Sequence, residues 1–399
     1  MAQQNHVLTD VSRNIWLDEF SLSPGAGPTL AGSDRWSIQK RTLRGGVSCG
    51  VDVVEINNGA LSVSILPTRG MGLWRGEFRG VALGWNSPVR HPVNPCFVNL
   101  VERSGLGWLS GFNELMCRCG LSWHGEPGVD VIQSNTGSKI ETPLTLHGKI
   151  ANTPAHMVSV EVDREGPGTL RVRGVVDESM LFGPFLRLST TIETEAGSHR
   201  LSIADEITNL GGQPTEMEVL YHTNLGPPLL EEGSRLDAPI RELAPINAHA
   251  ANGIAAWPTY QKPTPGYVEE CYVMDLQADA QGETAVLLRN HAADKGFSLA
   301  FRRDELPCFT LWKNTRAEAD GYVTGLEPGT SYPNLKTFER QQGRLITLGP
   351  GESYHTRITL AVHDTAESVS VMGERIAALQ QQPPVVHPQP VAALSPAGR

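Results

Sequence analysis

No run of about 18 uncharged apolar residues occurs in the chain, the length a membrane-crossing helix needs, so no helical membrane span is expected. The opening residues, MAQQNHVLTD, lack the basic and then apolar regions of a secretory leader, and the expectation is a soluble, cytoplasmic protein with no membrane partner. Dense basic segments are absent too. Lys and Arg number 33 against 43 Asp and Glu, a formal net charge of -10, and no stripe of like charge is dense enough to track a phosphate backbone, which argues against nucleic acid as a partner. Cysteine is sparse, with Cys49, Cys96, Cys117, Cys119, Cys271 and Cys308 in 399 residues. The one close pair, Cys117 and Cys119, has neither zinc-knuckle nor CxxC spacing, so reduced, buried thiols are expected. The HxH, HxxxH and HExxH spacings of zinc sites and the GxSxG elbow of serine hydrolases are also missing. A dispersed metal site built from His147, His222 and Glu327 stays open as an alternative.

Glycine and proline, by contrast, are plentiful at 41 and 28 residues. They punctuate short stretches in which apolar and polar residues alternate, the mark of many antiparallel strands joined by turns. Strands are expected from Leu61 to Pro67, from His156, from Thr169, and from Phe185 to Leu210, the last folding back at Gly197 as a hairpin. More follow from Glu283, Gly296, Phe309, Gly321 and Gly343. Such a series, with few helices between, predicts an all-β fold, a large antiparallel β-sandwich. The expected organisation is an N-terminal extension over 1–45 packing on the sandwich, the sandwich domain over 46–364, a helix over 365–380 and a flexible Pro-rich tail over 381–399 that buries too little apolar surface to order itself. The segment 99–121 mixes apolar residues with glycine and is expected to hold a short helix across one mouth of the sandwich.

Two segments carry acid/base side chains inside strand-like sequence: LYHTNLG with His222 and GYVTGLEP with Glu327. An imidazole with a pKa near 6.5 can lend a proton at neutral pH, and an ionised carboxylate can accept one. Partial burial would raise the Glu pKa toward the working range. The bland alternatives are a turn histidine bonded to backbone and a glutamate capping a turn beside Thr330. Trp312 and Lys313 lie one strand before Glu327, the aromatic as a platform for the apolar face of a sugar or as core, the lysine as a partner for a hydroxyl or carboxylate.

Four motifs, LPTRGMGL from Leu66, LHGKIANTPA from Leu146, LYHTNLGPPLLEEGS from Leu220 and GLEPGTSYPN from Gly325, together resemble the aldose 1-epimerase, or galactose mutarotase-like, family. That resemblance implies a β-supersandwich with a sugar cleft on a concave sheet face, a small sugar or sugar acid as partner, no metal and no organic cofactor. It implies His222 as general acid on the ring oxygen, Glu327 as general base on the anomeric hydroxyl, and His147 and Arg69 as sugar contacts, His147 helping to polarise the ring oxygen. Asn224, in the turn after His222, joins Trp312 and Lys313 as a candidate substrate-binding residue. The implied activity is interconversion of sugar anomers. A sugar-binding protein without turnover, and a lyase-type or keto-sugar enzyme on the same scaffold, are the alternatives. The stretch from Trp85 to Gly128 has no counterpart in the simple members, and it is expected to cap the cleft and to select a different or larger sugar.

Overall fold

A computed structural model describes residues 3–24, 35–164 and 168–398. Among these, two large sheets pack face to face. One runs, through its centre, in the spatial order Ser353–His363, Arg200–Asn209, Phe185–Glu195, Thr169–Ser179, Met157–Asp163 and Gln3–Asp10. The other contains, side by side, Glu270–Leu276, Cys308–Asn314, Val323–Gly329, Thr215–Leu225, Met116–Leu121, Gly72–Phe78, Leu61–Leu66 and Asp52–Asn57. Pairing is antiparallel throughout these neighbours, so the all-β antiparallel architecture expected from the alternation is what forms.

The alternation explains why the first sheet forms. In Phe185–Glu195 and Arg200–Asn209 every second side chain is buried, and Leu186, Leu188, Ile192, Ile203 and Ile207 join Val63, Ile65, Leu73 and Tyr221 of the opposing sheet in one core. Each such buried aliphatic side chain contributes roughly 1.5–3 kcal/mol. The site-bearing strands of the second sheet differ. Val219 to Leu225 and Val323–Gly329 are buried on both faces, one against the first sheet and the other beneath the segment that follows Asn99.

A fully buried ion pair crosses the sandwich. Arg118 Nε lies 2.5 Å from Asp205 Oδ2, Nη2 donates to Asp205 Oδ1 (2.9 Å) and to Thr190 Oγ1 (2.8 Å), and the Tyr221 hydroxyl donates to Asp205 Oδ2 (2.7 Å). Arg118, one of the polar residues in the stretch expected to cap the cleft, therefore belongs to the inter-sheet core.

Several expectations change. The N-terminal segment is not an extension laid on the surface. Gln3–Asp10 pairs with Met157–Asp163, and Ser37–Thr42 pairs with Asp52–Asn57, so it supplies strands to both sheets. Within 99–121 the helical part is a turn over Glu102–Gly105 and a 3-10 turn over Gly107–Gly111, and the rest is the strand Met116–Leu121. A helix over Ala366–Leu379, capped by the Thr365 side chain, sets Val369, Met372 and Ile376 against Ala285 and Leu287.

The tail, expected to be flexible, is seated. Val385–Val386 pairs in parallel with Ile240–Pro245, His387 N–H donates to Leu243 O (2.9 Å), and Val391 and Leu394 pack beside Ala244, Val273 and Tyr332. A proline-rich segment cannot build its own ladder, yet it can take hydrogen bonds from a ready-made sheet edge and cover it. Of the thiols, Cys117, Cys119 and Cys308 are buried, whereas Cys49 and Cys96 are exposed. Among the described residues no helix is long and apolar enough to cross a membrane.

Candidate functional site

The register that pairs Thr223 with Leu326 and Leu220 with Gly329 sets His222 opposite Glu327 on neighbouring strands. Period-two alternation turns both side chains away from the inter-sheet core, onto the outer face of the sheet. There His222 Nε2 lies 3.2 Å from Glu327 Oε1, and Glu327 Oε1 has no hydrogen-bond partner of good geometry. Gly325 makes the convergence possible. A Cβ on it would sit 2.4 Å from Glu327 Oε1 and 3.1 Å from His222 Cε1, so any side chain there would displace the pair.

Hydrogen bonds fix the imidazole's proton. Asn224 Nδ2 donates to Glu114 O (3.0 Å) and His222 O (3.1 Å), which leaves Asn224 Oδ1 as the acceptor 2.7 Å from His222 Nδ1. Nδ1 therefore carries the proton, and in the neutral ring Nε2 faces Glu327 with a lone pair. Burial holds the His222 pKa well below its ordinary value, with the neighbouring His147 adding to the shift. It holds the Glu327 pKa well above the ordinary carboxylate value, reinforced by the charge of Glu269. Both shifts act in the direction of the neutral forms, the unprotonated Nε2 of His222 and the carboxyl of Glu327.

His147 stands beside the pair. Its ring centroid is 5.4 Å from that of His222 and 4.6 Å from Trp108, and its Nδ1 donates to His124 O (2.8 Å). Burial pushes its pKa down to about 4, so at neutral pH its Nε2 is an acceptor and cannot protonate a ring oxygen. Its backbone sits at φ 58°, in the left-handed region that non-glycine residues rarely adopt, a strain typical of residues aimed at a site.

Trp312 is half-buried on the same face, 5.5 Å from His222, with Nε1 held by Glu269 Oε2 at 2.8 Å. Lys313 is not with them. As the next residue on the strand it points into the opposite face, where its Nζ donates to Thr259 O (2.9 Å) beside the Tyr260 and Tyr272 rings, and burial pulls its pKa down to about 8. Arg69 is fully buried. Its Nε donates to Glu114 Oε1 (2.6 Å) and its Nη1 to Asn152 Oδ1 (2.8 Å) and Val93 O (3.1 Å), while Nη2 is left without a partner. Glu114 thus joins Arg69 to the His222 partner Asn224. It is a linking residue that no sequence motif singled out.

The stretch after Trp85 covers the pair. Phe112 lies 5.1 Å and Trp108 6.1 Å from the His222 ring, and with Leu100, Leu146 and Trp312 they reduce the exposure of His222 to 4% and Glu327 to 3%. Larger cavities lie elsewhere. One of about 740 Å³ opens on the same sheet face, beyond Phe112 and Trp85. Among the described residues no three His, Cys, Asp or Glu side chains are grouped to hold a metal ion.

Behind His147 lies a second buried acid. Glu218, on the same face of the same strand as His222, accepts from Ser331 Oγ (2.7 Å), which also meets His124 Nε2 (2.8 Å). Desolvation pushes the Glu218 pKa up to about 7 from 4.5. In the window from 4.5 to 7 the unfolded chain releases this proton while the folded chain keeps it, so stability present below 4.5 is lost as pH rises to 7, by about 3 kcal/mol. Glu218→Gln should therefore gain about 3 kcal/mol on the native protein between pH 4.5 and pH 8 in urea unfolding. Parallel pH curves for the two proteins would contradict a proton held at Glu218.

Residues 48–362 match a family described as a domain of unknown function, DUF4432. A crystal structure of a candidate aldose 1-epimerase from Klebsiella pneumoniae is 37% identical, covers 98% of this chain and 99% of its own, and superposes with a TM-score of 0.90. A galactose mutarotase-like protein of Clostridium acetobutylicum (15% identity, 82% of this chain and 98% of its own, TM-score 0.56) shares the fold. So does a candidate aldose 1-epimerase of Escherichia coli K12 (14% identity, 79% and 99%, TM-score 0.51). No curated protein matches the sequence.

Proposed function

Because this chain belongs to the DUF4432 family and to the aldose 1-epimerase (galactose mutarotase-like) family, we propose that it is an isomerase that interconverts the α and β anomers of a free sugar or sugar acid with its own side chains. The observation that carries the proposal is the His222–Glu327 pair, 3.2 Å apart on adjacent strands. The ring oxygen and the anomeric oxygen of an aldopyranose are bonded to the same carbon, so an acid and a base standing side by side can reach both.

In the proposed cycle the shared proton sits on His222 Nε2 when the sugar binds, leaving Glu327 ionised. Glu327 takes the proton of the anomeric hydroxyl while His222 gives its own to the ring oxygen; the bond from C1 to the ring oxygen breaks and C1 becomes a carbonyl. The pair is then neutral, the state that burial favours, so ring opening is coupled to the loss of two buried charges. Rotation about C1–C2 presents the other carbonyl face, and the two transfers run in reverse. His147 accepts a sugar hydroxyl at Nε2, Trp312 meets the apolar face of the ring, and the unpartnered Nη2 of Arg69 donates to a hydroxyl. Lys313, facing the other way, has no part. Access requires the 107–113 segment to swing aside, since Trp108 and Phe112 rest on His222.

A pH profile of kcat/KM tests the shared proton. The expected profile is a bell: the rate falls at low pH as the pair takes a second proton, and at high pH as it loses its only one. Glu327→Gln should abolish the acid limb, because no carboxylate is left to be silenced by a proton, while His222 must still be protonated to act as the acid. A profile that is flat once the buffer rate is subtracted, or an acid limb that survives in Glu327→Gln, would exclude the pair as the acid and base.

A further inference from the structure

The outer face of the second sheet does not end at the capped pair. On the far side of Phe112 it continues as the cavity of about 740 Å³, inside the range of about 300–1,000 Å³ typical of small-molecule sites. Its floor is the outward-facing row of the Leu61–Leu66 and Gly72–Phe78 strands, where Ser62 is paired with Glu77 and Ser64 with Arg75, while Leu61, Val63 and Leu73 of the same strands point into the core. Its wall toward the site is Trp85, whose Nε1 donates to Glu114 O (3.1 Å) and whose ring is 5.1 Å from Phe112. Phe112 is in turn 5.1 Å from His222, so two aromatic rings in succession, Trp85 and Phe112, separate the cavity from the chemistry.

The lining has the donors and acceptors a neutral polyol needs. The Arg75 guanidinium sits over the Trp74 ring (4.1 Å to the ring centroid), and among the described residues no carboxylate pairs with it. Glu77 supplies an acceptor close by. Asn113 lines the cavity and is 4% exposed; its Nδ2 is committed to Val89 O (2.9 Å), and its Oδ1 is buried without a partner. A buried acceptor left unpaired is destabilising, and a hydroxyl donated by a ligand would satisfy it. Guanidinium and carboxylate groups occur together, which suits an uncharged, hydroxyl-rich ring better than a polyanion.

We propose that this cavity is a subsite for a second sugar ring, so that the substrate is a reducing disaccharide or longer glycan whose reducing end lies at His222 and Glu327. The inference rests on the isomerase reading for what happens at the reducing end, but binding in the cavity does not. The cap then has a second use: when the 107–113 segment moves, removal of Phe112 from its place between Trp85 and His222 leaves the Trp85 ring as the platform over which a glycan passes from the pair to the cavity.

The test uses the full chain with glucose, galactose, maltose, cellobiose, lactose and melibiose, measuring anomer exchange by saturation-transfer NMR and binding by calorimetry. The variants are Arg75→Ala, on an exposed side chain, and Ser62→Phe, which fills the cavity; thermal melting verifies that both fold. For at least one disaccharide, kcat/KM is expected to exceed that of its reducing-end monosaccharide by tenfold or more, and both variants are expected to erase that gain. If no sugar is exchanged, the isomerase reading fails while calorimetry still decides the subsite: disaccharide binding that both variants abolish supports it. Equal handling of mono- and disaccharides, variants that affect both alike, or no disaccharide binding at all would overturn it.

Discussion

Glu327→Gln is expected to slow anomer exchange by about 10²- to 10⁴-fold on any sugar the native protein turns over, the range in which a positioned general acid or base acts. The amide keeps the size of the side chain and its place opposite His222, but it cannot accept the anomeric proton. Stability should not suffer, because an amide is neutral at every pH and burial already disfavours the charged form of the native carboxyl. His222→Ala should fall in the same range. The double variant should be little slower than either single one, since two groups that share one proton act as a unit. Saturation-transfer NMR on the three proteins, with thermal melting as the control for folding, measures all of this. Single variants that retain native rates, or losses that simply multiply in the double variant, would remove the proposed roles.

Asp205→Ala carries the largest expected effect on stability. It strands the Arg118 guanidinium, fully buried between the sheets, with only Thr190 Oγ1 and the carbonyls of Gly70 and Met71 around it. Removing one partner of a buried, hydrogen-bonded ion pair costs about 3–5 kcal/mol, because the remaining charge keeps its desolvation penalty and loses its compensation. The Tyr221 hydroxyl loses the same carboxylate and keeps only Thr356. Urea unfolding should register the whole loss, and replacing Arg118 by Leu together with Asp205→Ala should recover most of it, since no charge is then left buried. A loss below about 1 kcal/mol in the single variant would mean that water reaches the guanidinium and that the sheets are not closed over it.

Much of the fold was legible because burial on one face writes itself into the sequence with a period of two. The hairpin read as breaking at Gly197 is Phe185–Glu195 and Arg200–Asn209, with Gly197 at φ 70°, a conformation that suits glycine. His222 and Glu327 stood out for a related reason: each is a titratable side chain inside a strand otherwise fit for burial on both faces. What brings them together is register, which depends on pairing partners more than a hundred residues apart and is not written locally.

Lys313 shows the opposite case. Its adjacency to Trp312 suggested a shared site, yet neighbours on a strand point to opposite faces, so proximity in sequence separated them. Arg69 was picked out by its motif as a sugar contact, yet the buried carboxylate of Glu114 that pairs with it lies 45 positions later and in no motif. The tail beyond residue 380 was judged on its own composition, which cannot report the free edge of Ile240–Pro245 that receives it. The aromatic residues of the segment after Trp85 were visible. That Trp108 and Phe112 lie directly on the imidazole depends on turns at Arg103, Ser104 and Gly105 with positive φ, two of which carry no glycine to announce them.

Anomer exchange without carbon–hydrogen chemistry is the heart of the proposal, and it is best read in D₂O by saturating one anomeric C1 proton of a sugar and following both its partner anomer and the C2 proton in the presence of the native protein. The expected result is transfer between the anomers well above the buffer rate with the C2 signal fully retained. Transfer no faster than buffer for every sugar tried, or loss of the C2 proton to solvent, would contradict it, the latter in favour of proton abstraction beside a carbonyl.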